Sequence, residues 1–262
     1  MKKTFLFISA IFISSIPVIG QDEKPKEPIK FEDLDKAAQH GVIVQALQKG
    51  DVDLFLRLTE KTDNDGFKGF RADILQRRGA QRFFDADIEG SLSDFNEAAE
   101  LKPKLDPYLW QRGITQYYAG KYQEGKEQFE RHQEVNSQDV ENAVWHFLCA
   151  VRAPGGTVES ARKNLIPITK DARVPMKEIH DLFAGTGSAE AVLAAANKVG
   201  DPAKSDDAKN ALLYAHLYLG IYYEAIGKDD LMKEHIAKAA GDYRMDHYMG
   251  KVAQVHAKVR GL

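Results

Sequence analysis

Two stretches of this chain repeat one another at an offset of 34 residues. Leu75-Gln76-Arg77-Arg78-Gly79 aligns with Leu109-Trp110-Gln111-Arg112-Gly113, and the same offset carries Phe83 onto Tyr117, Phe95 onto Phe129 and Leu101 onto Val135. A repeat of that length is one supersecondary unit whose apolar face cannot be buried alone, so successive copies must stack. A third copy lies near the end, where Leu219-Gly220 is followed by Tyr223, by Ile236 sixteen residues after the glycine, and by Ala239. Between the copies the pattern degrades: Phe147 stands one period after Gly113, and Lys163 one period after Phe129. The 138–165 segment is still expected to keep the length of a helical hairpin. Turn signals punctuate the chain at Lys49-Gly50-Asp51, Asp63-Asn64-Asp65-Gly66, Ala119-Gly120-Lys121, Pro154-Gly155-Gly156, Gly200-Asp201-Pro202 and Ile226-Gly227-Lys228, and no alternating strand pattern competes with them. The expected fold is all-α, with helices of ten to sixteen residues paired as antiparallel hairpins.

The repeated residues resemble the tetratricopeptide repeat. Gly79 and Gly113 take its glycine place, where a missing side chain lets two helices approach; Phe95 and Phe129 take the aromatic place of the second helix, and Pro103 the closing proline. The clearest copies span 72–105, 106–139 and 213–246 of a repeat domain covering 31–262. The resemblance implies a right-handed α-solenoid of five or six hairpins. The order of leading helices, two good repeats, weak hairpins and a final good repeat is similar to exported proteins of the NlpI lipoprotein type, with Ile179 to Gly185 and Glu190 to Leu193 matching the helix, Gly turn and helix before the last repeat. That similarity implies an envelope adaptor that docks other proteins, among them peptidoglycan hydrolases and proteases. The lipid-attachment cysteine of that group is missing here. In such folds the inner helices line a concave groove, and the positions that face it are Gln76, Ala80 and Phe83, then Trp110, Ile114 and Tyr117. Trp110 is the expected exposed anchor, because Leu109 takes the core position and neighbouring helical residues diverge by about 100°. For Phe83 and Tyr117 the other reading is that they complete the core between repeats.

The first twenty residues read as a secretory signal. Lys2 and Lys3 precede an apolar run from Phe5 to Ile16, Pro17 breaks it, and Val18-Ile19-Gly20 places acceptable residues before a cleavage point. The run is shorter than the ~20 residues needed to span a bilayer. Removing it takes the net charge from −3 to −5, so the product offers no general attraction to nucleic acid or anionic lipid. Gln21 to Lys30, charged and holding two prolines, reads as a solvated leader. Export predicts a periplasmic or secreted location. There the single cysteine, Cys149, can form no internal disulfide, so stability rests on packing.

Candidate chemistry is sparse. Cys149 sits in an apolar helical stretch and reads as a buried small hydrophobe; His146, three residues away, is the one feature that keeps a nucleophile in view. Asp181 to Gly187 looks like the Gly-rich loop of S-adenosylmethionine-dependent methyltransferases, but helical spacing at Met176, Ile179, Leu182 and Phe183 precedes it where that loop needs a strand, so it reads as a connection between helices. The eight histidines lack metal-ligand spacing, and no nucleophile elbow occurs. No cofactor or metal is expected. Arg78 and Arg112 replace an apolar residue of the repeat; Asp94 is the expected partner of Arg78, whereas Gln128 at the equivalent place predicts that the ion pair is not repeated. Gly113 is expected to tolerate a side chain less well than Gly125. Together these features predict a non-catalytic protein- or peptide-binding scaffold. The alternatives are a helical envelope hydrolase or transferase with its site within 138–200, and a self-associating envelope protein.

Overall fold

The computed structural model describes residues 30–262, and the signal and most of the leader lie outside them. The described residues form thirteen α-helices, two short 3-10 turns and no strand, which establishes the all-helical class. The chain divides at Arg71–Ala72 into two compact units.

The first unit holds a 3-10 turn at Phe31–Asp33, α1 (Lys36–Gln48), α2 (Val52–Leu58) and the start of α3 (Asp65–Phe84). Asp35 and Asp51 cap α1 and α2 by accepting from the backbone N–H three residues on. Ile43, Ala46, Phe55, Leu56 and Phe67 are its buried apolar residues. The buried Arg71 guanidinium donates to the Leu56 carbonyl and the Thr59 hydroxyl.

The second unit contains the rest of α3, then α4 (Ile88–Leu101), α5 (Trp110–Tyr118), α6 (Tyr122–Val135), α7 (Val140–Arg152), α8 (Val158–Lys163), α9 (Met176–Ala184), α10 (Ala189–Asn197), α11 (Asp206–Ala225), α12 (Asp229–Ala240) and α13 (Tyr248–Arg260). The three sequence copies fall on α3/α4, α5/α6 and α11/α12. In each, the repeat glycine abuts the residue sixteen places on. A Cβ at Gly79 would lie 3.3 Å from the Phe95 ring, at Gly113 2.7 Å from Phe129 Cζ, and at Gly220 2.6 Å from Ile236 Cδ1. Close helix approach therefore favours glycine at each place, and most tightly at Gly113 and Gly220. Asp181 to Gly187 is a helix connection: Gly185 closes α9 at φ 81°, and Ser188 caps α10.

Two expectations are corrected. Helix lengths run from 6 to 20 residues. The 138–165 segment does not keep a full hairpin, because α8 is only 6 residues long and 164–175 contains no helix. As expected, the Arg78–Asp94 ion pair is not repeated in the second copy, where Arg112 hydrogen-bonds the neutral Gln128 instead. Arg78 forks onto Asp94 at 2.7 and 2.9 Å; Arg112 reaches Gln128 Oε1 at 2.5 and 2.9 Å, and its charge is met by Asp106 from the preceding 3-10 turn. Gly125 is also confined, since its Cβ would meet Cys149 Sγ at 2.8 Å and the Gly113 carbonyl at 3.3 Å, but Gly113 is the tighter place, with three Phe129 ring atoms at 2.7–2.9 Å.

The last helix decides the fate of the expected groove. Tyr248, at the start of α13, stacks on Phe83 at 6.1 Å and meets Phe84 at 5.1 Å and Trp110 at 4.7 Å. Further along, His256 Nδ1 bonds the Tyr118 hydroxyl at 2.9 Å, and Lys258 donates to the Asp85 carbonyl at 2.8 Å. Phe83 is 0% exposed beneath this contact, and Ile114 and Tyr117 are buried as well, at 1% and 2% exposed. Burial of these large apolar faces under the chain's own helix is what the hydrophobic effect favours when they are otherwise wet.

Candidate functional site

Beside that aromatic contact lies a cavity of about 330 Å³. The N-terminal turns of α5 and α7 and the end of α6 form much of its wall, contributing Trp110 and Ile114, then Asn142 and Trp145, then Phe129 and His132. Tyr214 of α11 and Tyr248 and Met249 of α13 close the rest, and Asp139, Glu141, Arg173 and His247 supply the polar rim.

The polar side is organised by the start of α7. Asp139 is its N-cap and accepts from the Glu141 N–H at 3.0 Å, while Asp171 accepts from the Val140 N–H at 3.1 Å. Carboxylates at a helix N-terminus answer the unpaired donors and the positive end of the dipole. Arg173 then ties all three acids together, at 2.6 Å to Asp139, 2.5 Å to Glu141 and 2.6 Å to Asp171. This contact needs the irregular 164–175 segment, which the shortness of α8 leaves free to run back beside α7.

Burial pushes the Glu141 carboxyl up to about 7; Arg173 works against that shift and Asp139 adds to it. From α11, Tyr214 and Tyr218 face the same carboxyl, and burial together with its charge pushes both phenols above their ordinary range. His247 caps α13 by accepting from the Gly250 N–H and contacts Asn210 Oδ1 at 2.7 Å, so the proton is assigned to Nε2. Burial lowers its pKa and favours the neutral ring. His132 Nδ1 donates to the Pro107 carbonyl at 2.8 Å. Three lining residues keep a buried polar atom without a hydrogen-bond partner: Trp145 Nε1, Asn142 Oδ1 and the Tyr248 hydroxyl. Such atoms are costly unless something answers them.

Of the expected site residues, Trp110 and Ile114 line this cavity, with Trp110 half-buried against Tyr248. Phe83 and Tyr117 belong to the core instead, and the Tyr117 hydroxyl donates to Glu224 at 2.8 Å. Gln76 is half-buried on α3 and does not line the cavity. Sequence reasoning missed Glu141, Arg173, Tyr214 and Tyr248. Only Asp139 carried a local signal, as a capping residue before an apolar helical run; Arg173 belongs to no periodic segment.

Elsewhere, Cys149 is fully buried and burial raises its thiol pKa, while His146 pairs with Glu130 at 3.2 Å. His216 and His235 share a hydrogen bond at 2.8 Å between their Nδ1 atoms, and burial lowers His216 to about 4. Among the described residues, no group of three or more His, Cys, Asp or Glu is placed to hold a metal ion, and no helix is long and apolar enough to cross a membrane. No known protein-family model and no curated protein matches the chain.

Proposed function

We propose that this protein is a non-catalytic binding module of tetratricopeptide type, built as a right-handed α-solenoid, that takes an anchor side chain of a protein or peptide partner into the cavity beside Trp110. The observation that carries the reading is the cavity itself: about 330 Å³, aromatic on its walls, with buried polar atoms of Trp145 and Asn142 left without partners. That volume lies at the low end of the ~300–1,000 Å³ of ligand sites, the scale of one side chain or short segment. In this reading the binding surface is the cavity and not an open groove, since Phe83 lies under Tyr248 of α13 and Tyr117 is buried in the core. An enzymatic reading of 138–200 is less well supported, because its one thiol is buried and its clustered acids are engaged by Arg173. The Lys2-Lys3 start and the apolar run that follows support export to the cell envelope, where hydrolases and proteases are candidate partners.

A displayed random-peptide library, panned on the protein and counter-panned on Trp110→Ala, tests the reading. Enrichment of a shared motif on the parent alone is expected. Equal enrichment on both, or none on either, overturns it.

A further inference from the structure

We infer that the cavity is built for an ammonium group, the Nζ of a partner's lysine, held by aromatic faces on one side and by a carboxylate-rich rim on the other. The inference rests on the binding reading above and names the chemistry of the same site.

The walls supply the first half. Trp110, Trp145, Tyr214 and Tyr248 all line one cavity, and the ring face of Trp or Tyr attracts a cation through its quadrupole. A lysine's four methylenes would find apolar cover from Ile114, Phe129 and Met249. The rim supplies the second half. Asp139 and Glu141 line the cavity beside a single Arg173, and that guanidinium is shared with a third carboxylate outside the lining, Asp171, so three carboxyl groups meet one guanidinium, which three ion pairs turn toward them. The excess is negative. An anion would meet that excess, whereas an ammonium completes the neutralisation. Independently, the buried Asn142 Oδ1 lacks a donor while its Nδ2 is spent on the Phe129 carbonyl and Gln133. It is an acceptor waiting in a lining residue 3% exposed, and an ammonium carries three donors.

The charge of the rim follows pH through Glu141. The groups that face it are Asp139 at the start of its own helix, Arg173 from the 164–175 segment, itself shared with Asp171, and Tyr214 and Tyr218 from α11, with the His132 and His247 rings on the same cavity. Burial pushes this carboxyl up to about 7. Lysine, with an ordinary pKa near 10.4, stays charged through that range. Affinity should therefore rise between pH 6 and pH 8, as Glu141 loses its proton and a bound cation favours the loss.

The chain has only two tryptophans, and both line the cavity, so intrinsic fluorescence reads the site directly. Nα-acetyl-lysine methylamide is titrated into the full protein at fixed ionic strength, alongside its norleucine counterpart, choline and propionate. The expected result is a saturable change with the lysine derivative, about tenfold weaker with norleucine, a fold-change within the range of cation–π attraction. Its affinity should climb from pH 6 to pH 8, and Glu141→Gln should flatten that climb. Equal binding by norleucine, preferred binding of propionate, or no saturable change with either amine overturns the assignment. Tighter binding of choline than of the lysine derivative overturns the lysine as source. The choice among amine, norleucine and propionate is made on the wild-type protein and does not depend on the variant folding. The two readings fail separately: peptides selected through Trp110 without a basic residue would remove the ammonium and leave the binding module, whereas amine binding without selected peptides would do the reverse.

Discussion

Glu141 shows how one residue can be held in a state its neighbours only half accept. Its side chain is 13% exposed and its charge is answered by Arg173, yet burial and Asp139 still lift its pKa from 4.5 to about 7. A carboxyl with a raised folded-state pKa favours folding below its unfolded value, and that advantage is lost as pH rises through the folded value. The sign is thus opposite to that of the usual paired acid. Thermal melts of the parent and Glu141→Gln should show the difference moving in favour of the glutamine as pH rises from about 4.5 to about 7, and holding constant above. A constant difference across that window would place Glu141 at an ordinary pKa. Asp94 illustrates the other outcome: 2% exposed, it is forked by Arg78 and joined by Arg82 at 2.9 Å, as a buried charge requires.

At the scale of the element, the repeat is a rule about glycines. Each hairpin of the α3/α4, α5/α6 and α11/α12 set presses a glycine onto a large side chain sixteen residues later, but the fit differs. At Gly79 an added methyl would sit 3.3 Å from its neighbours, and the better helix propensity of Ala, about 1 kcal/mol, offsets such a contact. At Gly113 it would sit within 2.9 Å of three atoms of the Phe129 ring, which is buried and cannot yield. Gly79→Ala should therefore be near neutral, while Gly113→Ala should cost about 1–3 kcal/mol as overpacking does. Urea denaturation measures both. Adding Phe129→Leu to Gly113→Ala should recover part of the loss, a coupling that only direct contact produces. The weak hairpin obeys a different logic: Phe147 in the glycine place fills the core at 0% exposure, and α8 ends after 6 residues. The chain thereby gains the 164–175 segment that delivers Arg173.

For the second unit as a whole, the decisive event is the return of α13. Glu224 on α11 gathers that return, accepting from Tyr117 at 2.8 Å and from Arg260 at 2.5 and 2.6 Å, with His256 at 3.8 Å. Burial opposes its charge, and these partners outweigh burial and hold its pKa below the ordinary value. Tyr248→Ala removes the ring shared by Phe83, Phe84 and Trp110. It should cost about 3 kcal/mol, the low end for aromatic truncation because Tyr248 is only half-buried. It should also shift tryptophan emission to the red as Trp110 becomes wet. Loss of stability without a shift would mean that Tyr248 does not shield Trp110. The proposed export is tested on the full chain: intact-mass measurement on protein from the producing cell's envelope should give a polypeptide beginning at Gln21, and a mass that retains Met1 removes the signal.

The 34-residue offset and the turn glycines carried the helical class, the hairpins and even the Arg78–Asp94 pair, because these depend on neighbours within one or two helices. Trp110 and Ile114 were legible as candidates for the same reason. The cavity was not. Asp139, Arg173, Tyr214 and Tyr248 come from four elements, and Glu224 meets Tyr117 across 107 positions of sequence. Such meetings follow no period, since they arise when stacked helices bury whatever apolar face remains, and which residues then share a cavity is decided by packing in three dimensions.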